Sequence, residues 1–267
     1  MSRFDAETAV TGCGDGLWQC RLSSAWDIGG NSNGGYALSP VLRAMRTLVP
    51  HCDPITTTAH FLRPATGDTD SEVRASVIRQ GRTVSALRGS LWQQGKQRLE
   101  VLAAFSDLPG SGAAGAAAGP EIVEPAPVIP PSGECVKRGF LEQGVEMTLL
   151  SRVDVHVHPD HASPGSSDRA LIDGWIRFSD GAAPSVMSLP FFGDAMPPSL
   201  YPLLGLTGWV PTIELTVQVR RTPAPGWLQV RQETHDLDNG RMIESGTIWD
   251  SSGVVVATTR QIGLLLA

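Results

Sequence analysis

Residues 80–105 run Gln80-Gly81-Arg82-Thr83-Val84-Ser85, then Gly89-Ser90-Leu91-Trp92, then Gly95 and an apolar stretch ending at Phe105. Residues 239–261 follow the same plan: Asn239-Gly240-Arg241-Met242-Ile243-Glu244, then Gly246-Thr247-Ile248-Trp249, then Gly253 and an apolar stretch ending at Gln261. Each copy spells a Gly-Arg turn, a strand carrying a Trp, a second Gly turn and a closing strand. A further matched pair lies upstream, in 56–64 and 212–222, with Arg63 in the first and Arg220 and Arg221 in the second at the same place. The offset between copies is several times the roughly 20–50 residue period of a solenoid, so the chain reads as two related units rather than an array. Differences between the copies then mark where chemistry is expected.

Working outward, Leu17–Leu22 alternates as a short strand, and Trp26-Asp27-Ile28 runs into a Gly-Asn turn region. Asn33-Gly34-Gly35-Tyr36 opens a helix predicted over 37–48, with Leu38, Val41, Leu42, Met45 and Leu48 at helical spacing. Strands are predicted over 55–62, 70–80, 82–93 and 98–105, with turns at Gln80-Gly81 and Gly95-Lys96. One helix followed by antiparallel strands implies an α+β unit whose sheet wraps the helix. The Ala-, Gly- and Pro-rich stretch that follows reads as a low-complexity linker. The expected organisation is therefore an N-terminal unit over 1–108, a linker over 109–133 and a C-terminal unit over 134–267. In the second unit, strands are predicted over 152–158, 169–178, 212–220, 226–237, 241–250 and 254–266. Its apolar stretch 183–192 stands where the first unit has its helix.

The 267 residues are 41% hydrophobic and carry a net charge of −6. That balance argues against nucleic acid as a partner, because neutralising phosphates needs a basic face. No segment reaches the ~20 apolar residues of a membrane span, and the first residues lack the apolar core of a secretory signal. Four scattered cysteines without a Cys-x-x-Cys pair suit a reducing compartment, so the expected location is cytoplasmic.

The order of these segments resembles the thioesterase II (TesB-like) acyl-CoA thioesterases, whose chain is a double hotdog. In the first unit the resemblance rests on Asn33-Gly34-Gly35-Tyr36, His60-Phe61-Leu62-Arg63-Pro64 and the run from Arg79 to Arg88. In the second it rests on Gly174-Trp175-Ile176-Arg177, the run from Leu189 to Asp194, Pro211-Thr212-Ile213-Glu214, and the run from Ala257 to Gln261. It implies hydrolysis of a fatty acyl-CoA to free acid and CoA, with CoA as part of the substrate, no separate cofactor and no metal. By motif match the family's catalytic Asp, Thr and Gln fall on Asp194, Thr212 and Gln261. The Asp-to-Thr interval is shorter here than in the family, and Tyr36 stands where the family often has Gln.

Those residue types suit the reaction. A carboxylate in a partly desolvated place can take a proton from water. A hydroxyl and an amide can hold that water in position. The thiolate of CoA leaves readily. The helix in the first unit contains no acid, so one active site is expected rather than two. The Gly34, Gly35 and Tyr36 amides are candidates for an oxyanion site at a helix N-terminus. Arg63, Arg82 and Arg88 are candidates for the CoA phosphates. Met187, Phe191, Phe192, Met196 and Trp209 are candidate linings of the acyl pocket.

The run His156-Val157-His158-Pro159-Asp160-His161 spells a zinc signature of another hydrolase superfamily. Only His235 follows it as a further imidazole, so it reads as a strand entering a Pro turn. Two other functions fit the same fold: a hydratase or dehydratase acting on enoyl or hydroxyacyl thioesters, which wants an Asp–His pair, and a non-catalytic acyl-thioester-binding protein. Exposed sheet edges also suggest a homo-oligomer.

Overall fold

A computed structural model describes residues 1–108, 122–141 and 144–266. In the first half a short helix α1 (Arg3–Glu7) precedes β1 (Thr11–Gly14) and β2 (Leu17–Arg21). A two-stranded ladder of β3 (Asp27–Ile28) and β4 (Asn31–Ser32) leads into α2 (Gly34–Arg46). Strands β5 (Asp53–Phe61), β6 (Asp70–Gln80), β7 (Ser85–Gln93) and β8 (Lys96–Ser106) follow. In the second half come β9 (Val136–Lys137), β10 (Val153–Val157) and β11 (Leu171–Phe178). Two single-turn helices, α3 (Leu189–Phe192) and α4 (Tyr201–Leu204), precede β12 (Thr212–Val219), β13 (Leu228–Asp238), β14 (Arg241–Trp249) and β15 (Val255–Leu264).

Among the described residues, thirteen strands form one antiparallel sheet in the order β1-β2-β6-β7-β8-β5-β12-β15-β14-β13-β11-β10-β9. Outward from its centre, β5-β8-β7-β6-β2-β1 mirrors β12-β15-β14-β13-β11-β10. The copies thus meet at the β5–β12 seam, where Leu215 faces Ala59 and Thr216 faces Thr58. The two hydroxyls of that last pair bond across it at 2.9 Å. The repeat seen in the sequence is this mirrored strand order.

Local chemistry accounts for α2, the one long helix among the described residues. Asn33 caps it by accepting the Tyr36 N–H at 2.9 Å, and Arg43 and Arg46 lie in the last turn, where the helix dipole favours cations. Leu38, Val41, Leu42 and Met45 are fully buried against the sheet, each contributing about 1.5–3 kcal/mol by area.

The expected second helix is a correction. Residues 183–192 supply only a 3-10 turn (Val186–Ser188) and the four residues of α3. Pro190, Gly193, Pro197 and Pro198 deny the segment the backbone donors and the propensity for more turns. What remains packs against the N-terminal turn of α2, where Gly35 meets Pro190 and Phe191. The halves also share an apolar cluster in which Phe4, Trp26 and Tyr36 meet Phe178, Phe191 and Phe192. Glu7 reinforces this junction by accepting from Arg152 and from the Trp26 indole.

Residues 109–121 of the expected linker lie outside the described residues. Residues 122–133 form an extended strap along the second half. Trp249 donates to the Glu124 carbonyl, Gln229 to that of Pro127 and Trp175 to that of Pro130. Among the described residues, no helix is long and apolar enough to cross a membrane.

Close approach of the halves depends on Gly35. A Cβ there would lie 2.7 Å from Phe191 Cα and 2.8 Å from the Pro190 carbonyl oxygen. Gly35→Ala should therefore lower stability by about 1–3 kcal/mol, as overpacking does, read as a lower urea midpoint at unchanged slope. An unchanged midpoint would contradict this packing.

Candidate active site

Asp194 follows Gly193 directly after α3, and the packing of α3 against the first turn of α2 brings its carboxylate to the N-terminus of that helix. Oδ2 accepts from the Gly35 amide and from Asn33 Nδ2, both at 2.9 Å. The same Asn33 nitrogen bonds the Asp194 carbonyl oxygen at 2.9 Å, so one side chain caps the helix and clamps the aspartate. Burial raises the Asp194 pKa from an ordinary 3.8 to about 7. The Gly35 amide works against the rise, nearby Glu244 adds to it, and the Gly34 amide and Asn33 oppose it.

A second cluster sits on the adjoining strands. Thr212 opens β12 and donates its hydroxyl to Gln261 Oε1 at 2.8 Å. Gln261, on β15 and only 8% exposed, donates from Nε2 to Glu244 Oε1 at 2.6 Å. Glu244, on β14 directly opposite Gln261 and 2% exposed, accepts the Ser199 backbone N–H on Oε2 at 2.7 Å. Burial raises its pKa as well, with the Ser199 and Gln261 donors opposing. Asp194, Thr212, Glu244 and Gln261 all line one cavity of about 370 Å³. Its walls are otherwise largely apolar, including Phe61, Leu99, Met196, Trp209, Met242 and Leu264.

The fold therefore gathers Asp194, Thr212 and Gln261 at one cavity although they are far apart in the chain. Glu244 belongs with them and was not among the expected residues. Gly34 lines the cavity. The Gly35 amide, expected to face a substrate oxygen, instead holds Asp194, and the Tyr36 amide is taken by its own cap. The Tyr36 ring is buried, stacked on Trp26 at 4.9 Å, with its hydroxyl donating to the Glu7 carbonyl.

Of the three arginines, Arg63 stands exposed on the cavity rim, bonded to the Gln97 carbonyl. Arg82 is exposed outside the cavity lining. Arg88 points to the other face of β7, where it pairs with Glu100 in a separate groove with Cys13, Arg74 and Trp92. Met196 and Trp209 line the cavity as expected, whereas Met187, Phe191 and Phe192 are packed in the core.

The His-x-His-x-Asp-His run is spread over separate partners. His156 Nδ1 meets the Ser132 carbonyl, and the His158 and His161 Nδ1 atoms accept from the Asp160 and Asp173 amides. Among the described residues, no group of three or more His, Cys, Asp and Glu is placed to hold a metal.

Two family models match the chain, acyl-CoA thioesterase N-terminal domain over residues 22–106 and acyl-CoA thioesterase C-terminal domain over 120–265. A crystal structure of a candidate thioesterase II from Thermobifida fusca YX is 29% identical and covers 100% of this chain and 98% of its own, with a TM-score of 0.89. A conserved hot dog fold protein of unknown function from Alicyclobacillus acidocaldarius shares the fold at 19% identity, with a TM-score of 0.84 over 100% of this chain and 99% of its own. An uncharacterised protein of Mycobacterium tuberculosis is 26% identical over 94% of this chain and 91% of its own.

The raised Asp194 pKa fixes a stability signature. A carboxyl that titrates higher when folded than its ordinary 3.8 stabilises the fold most below about pH 4 and loses that contribution as pH climbs through about 7. Asp194→Asn removes that loss. Its unfolding free energy relative to the wild type should rise between pH 5 and pH 8, measured by paired denaturation curves. A flat difference would show an ordinary, solvated carboxylate.

Proposed function

The chain belongs to the acyl-CoA thioesterase family, and from that premise we propose a double-hotdog hydrolase with units over 1–108 and 134–267. It cleaves a fatty acyl-CoA to free acid and CoA with a water activated by Asp194, Thr212 and Gln261. One observation carries this reading: Asp194, seated on the α2 N-terminus, opens into the same largely apolar cavity as the Thr212–Gln261 pair.

The chemistry follows from the donors and acceptors. Oδ2 of Asp194 is engaged by Asn33 and Gly35, which leaves Oδ1 to take a proton from water. The water oxygen adds to the thioester carbonyl carbon as its proton passes to Asp194. Collapse of the tetrahedral intermediate then breaks the C–S bond. The CoA sulfur leaves as thiolate and recovers the proton from Asp194, while the new carboxylic acid ionises. A base titrating near 7 is matched to working pH, where it is partly ionised yet more basic than an ordinary aspartate. The Gly35 and Tyr36 amides serve to hold the base and its cap rather than the substrate oxygen. Arg63 on the rim is the cation placed to meet CoA phosphates entering the cavity.

The hydratase alternative calls for an Asp–His pair. Asp194 is clamped by an amide side chain and a backbone N–H, and no histidine occurs among the described residues lining the cavity.

Thiol release from acyl-CoAs of graded chain length tests the proposal. The wild type should turn over at least one of them, with kcat/KM rising as pH increases through about 7, since the base form of Asp194 is the active one. Asp194→Asn should lower turnover by about a hundredfold or more with the fold intact. Unchanged turnover in that variant would remove Asp194 from the reaction, and no thiol release from any chain length would remove the hydrolase.

A further inference from the structure

Burying a carboxylate costs several kcal/mol unless its oxygens are satisfied, and Glu244 is almost fully enclosed with no cation among its bonded partners. Its two oxygens are met by N–H donors, Ser199 on one and Gln261 on the other. From this geometry we infer that Glu244 is a positioning residue: by accepting Nε2 of Gln261 it turns Oε1 toward Thr212 and makes the Thr212 hydroxyl an acceptor for the attacking water. The inference rests on the hydrolase reading and extends it to a residue that the Asp-Thr-Gln set does not include.

The logic is one of polarity. A primary amide has a donor end and an acceptor end, whereas an ionised carboxylate can only accept. With Glu244 ionised, the NH2 end of Gln261 must face it, so the oxygen must face Thr212. The single Thr212 proton is then committed to Gln261, and its lone pairs remain for a hydrogen of the water. With its second hydrogen on Asp194, the water has a lone pair free for the thioester carbon. If Glu244 presented a donor instead, Gln261 would turn over and donate to Thr212. The Thr212 proton would then point into the cavity and hold the water by its nucleophilic end.

Burial and the like charge of Asp194 oppose ionisation of Glu244, and the N–H donors from Ser199 and Gln261 favour it. Glu244 is faced by Gln261 from β15, by the Ser199 amide from the loop after α3, and by the charge of Asp194. Arg63 is the cation on the cavity rim. In the first half the strand positions in the same register, counted from Gly89 and Gly246, are Leu87 and Ala103, opposite each other on β7 and β8. Leu87 and Ala103 are both apolar and buried in the core, so that half keeps no such relay.

The test is thiol release from the acyl-CoA that the wild type turns over best, with near-ultraviolet circular dichroism checking the fold. Glu244→Gln should lower kcat by roughly ten- to a hundredfold with KM nearly unchanged, the pattern of a lost transition-state interaction. Thr212→Val should cost about the same, and the two together should cost little more than either, as members of one relay do. The charge swap Glu244→Gln with Gln261→Glu should recover roughly tenfold over Glu244→Gln alone, because the carboxylate then accepts from Thr212 directly. Glu244→Gln at the wild-type rate, multiplying losses with Thr212→Val, or a folded swap no better than the single variant would each overturn the inference. Those results leave the hydrolase reading standing if Asp194→Asn is inactive. A wild type without thiol release overturns both. If Glu244→Gln alone fails to fold, the swap keeps one carboxylate and one amide in place and decides the matter.

Discussion

A carboxylate from one half of the chain pressed against the first amides of a helix from the other half is the contact on which the rest depends. The N-terminus of α2 offers unpaired N–H groups and the positive end of a dipole, which favour a negative charge. Burial disfavours the same charge and outweighs those donors, which pushes Asp194 up to about 7. Neither half builds this alone. The second half carries the aspartate after a helix that is cut short, and the first carries the capped helix that receives it. Glycine at 34 and 35 is what permits contact, since a Cβ at Gly34 would sit 2.9 Å from the Phe61 ring and 3.0 Å from Asp194 Oδ2.

From that contact the division of labour between copies follows. Strand order and register are held in common: β7 and β8 set Leu87 opposite Ala103 just as β14 and β15 set Glu244 opposite Gln261. The first copy spends those positions on packing and keeps a full helix. The second gives up most of the helix and keeps a buried polar network in which each bond fixes the next. Such a network holds side chains in place only when every member is satisfied, and the Ser199 amide closes it at the far end.

Much of the fold was legible because alternation and turns are local signals. The strand predicted over 70–80 is β6 to the residue, and those over 55–62, 98–105, 212–220 and 241–250 differ from the observed strands by one or two residues at an end. The prolines between 184 and 198 were equally visible and argued against a second long helix, but the repeat suggested one. Asp194, Thr212 and Gln261 were reachable through the resemblance to a known family, and their shared cavity is a property of the fold. Glu244 was hidden in plain sequence. It sits in the repeated segment itself, at the strand position of Leu87, and a charged residue on the inward face of a central strand was the available signal. Arg88 failed in the opposite sense, because strand alternation sends it to the outer face, away from the cavity. Gly35 carries helix-start chemistry in its sequence context, but its partner lies 159 residues away.

The central claim is that one water, held between Asp194 and Thr212, attacks a thioester lodged in this cavity. A crystal structure with an acyl-CoA analogue whose thioester is replaced by a non-hydrolysable amide tests it most directly. The account predicts the acyl chain in the apolar part of the cavity, the amide carbonyl carbon beside Asp194, and an ordered water in hydrogen-bonding contact with both Asp194 and Thr212. An analogue bound elsewhere, or one whose carbonyl lies beyond reach of a water held by those two side chains, would contradict it.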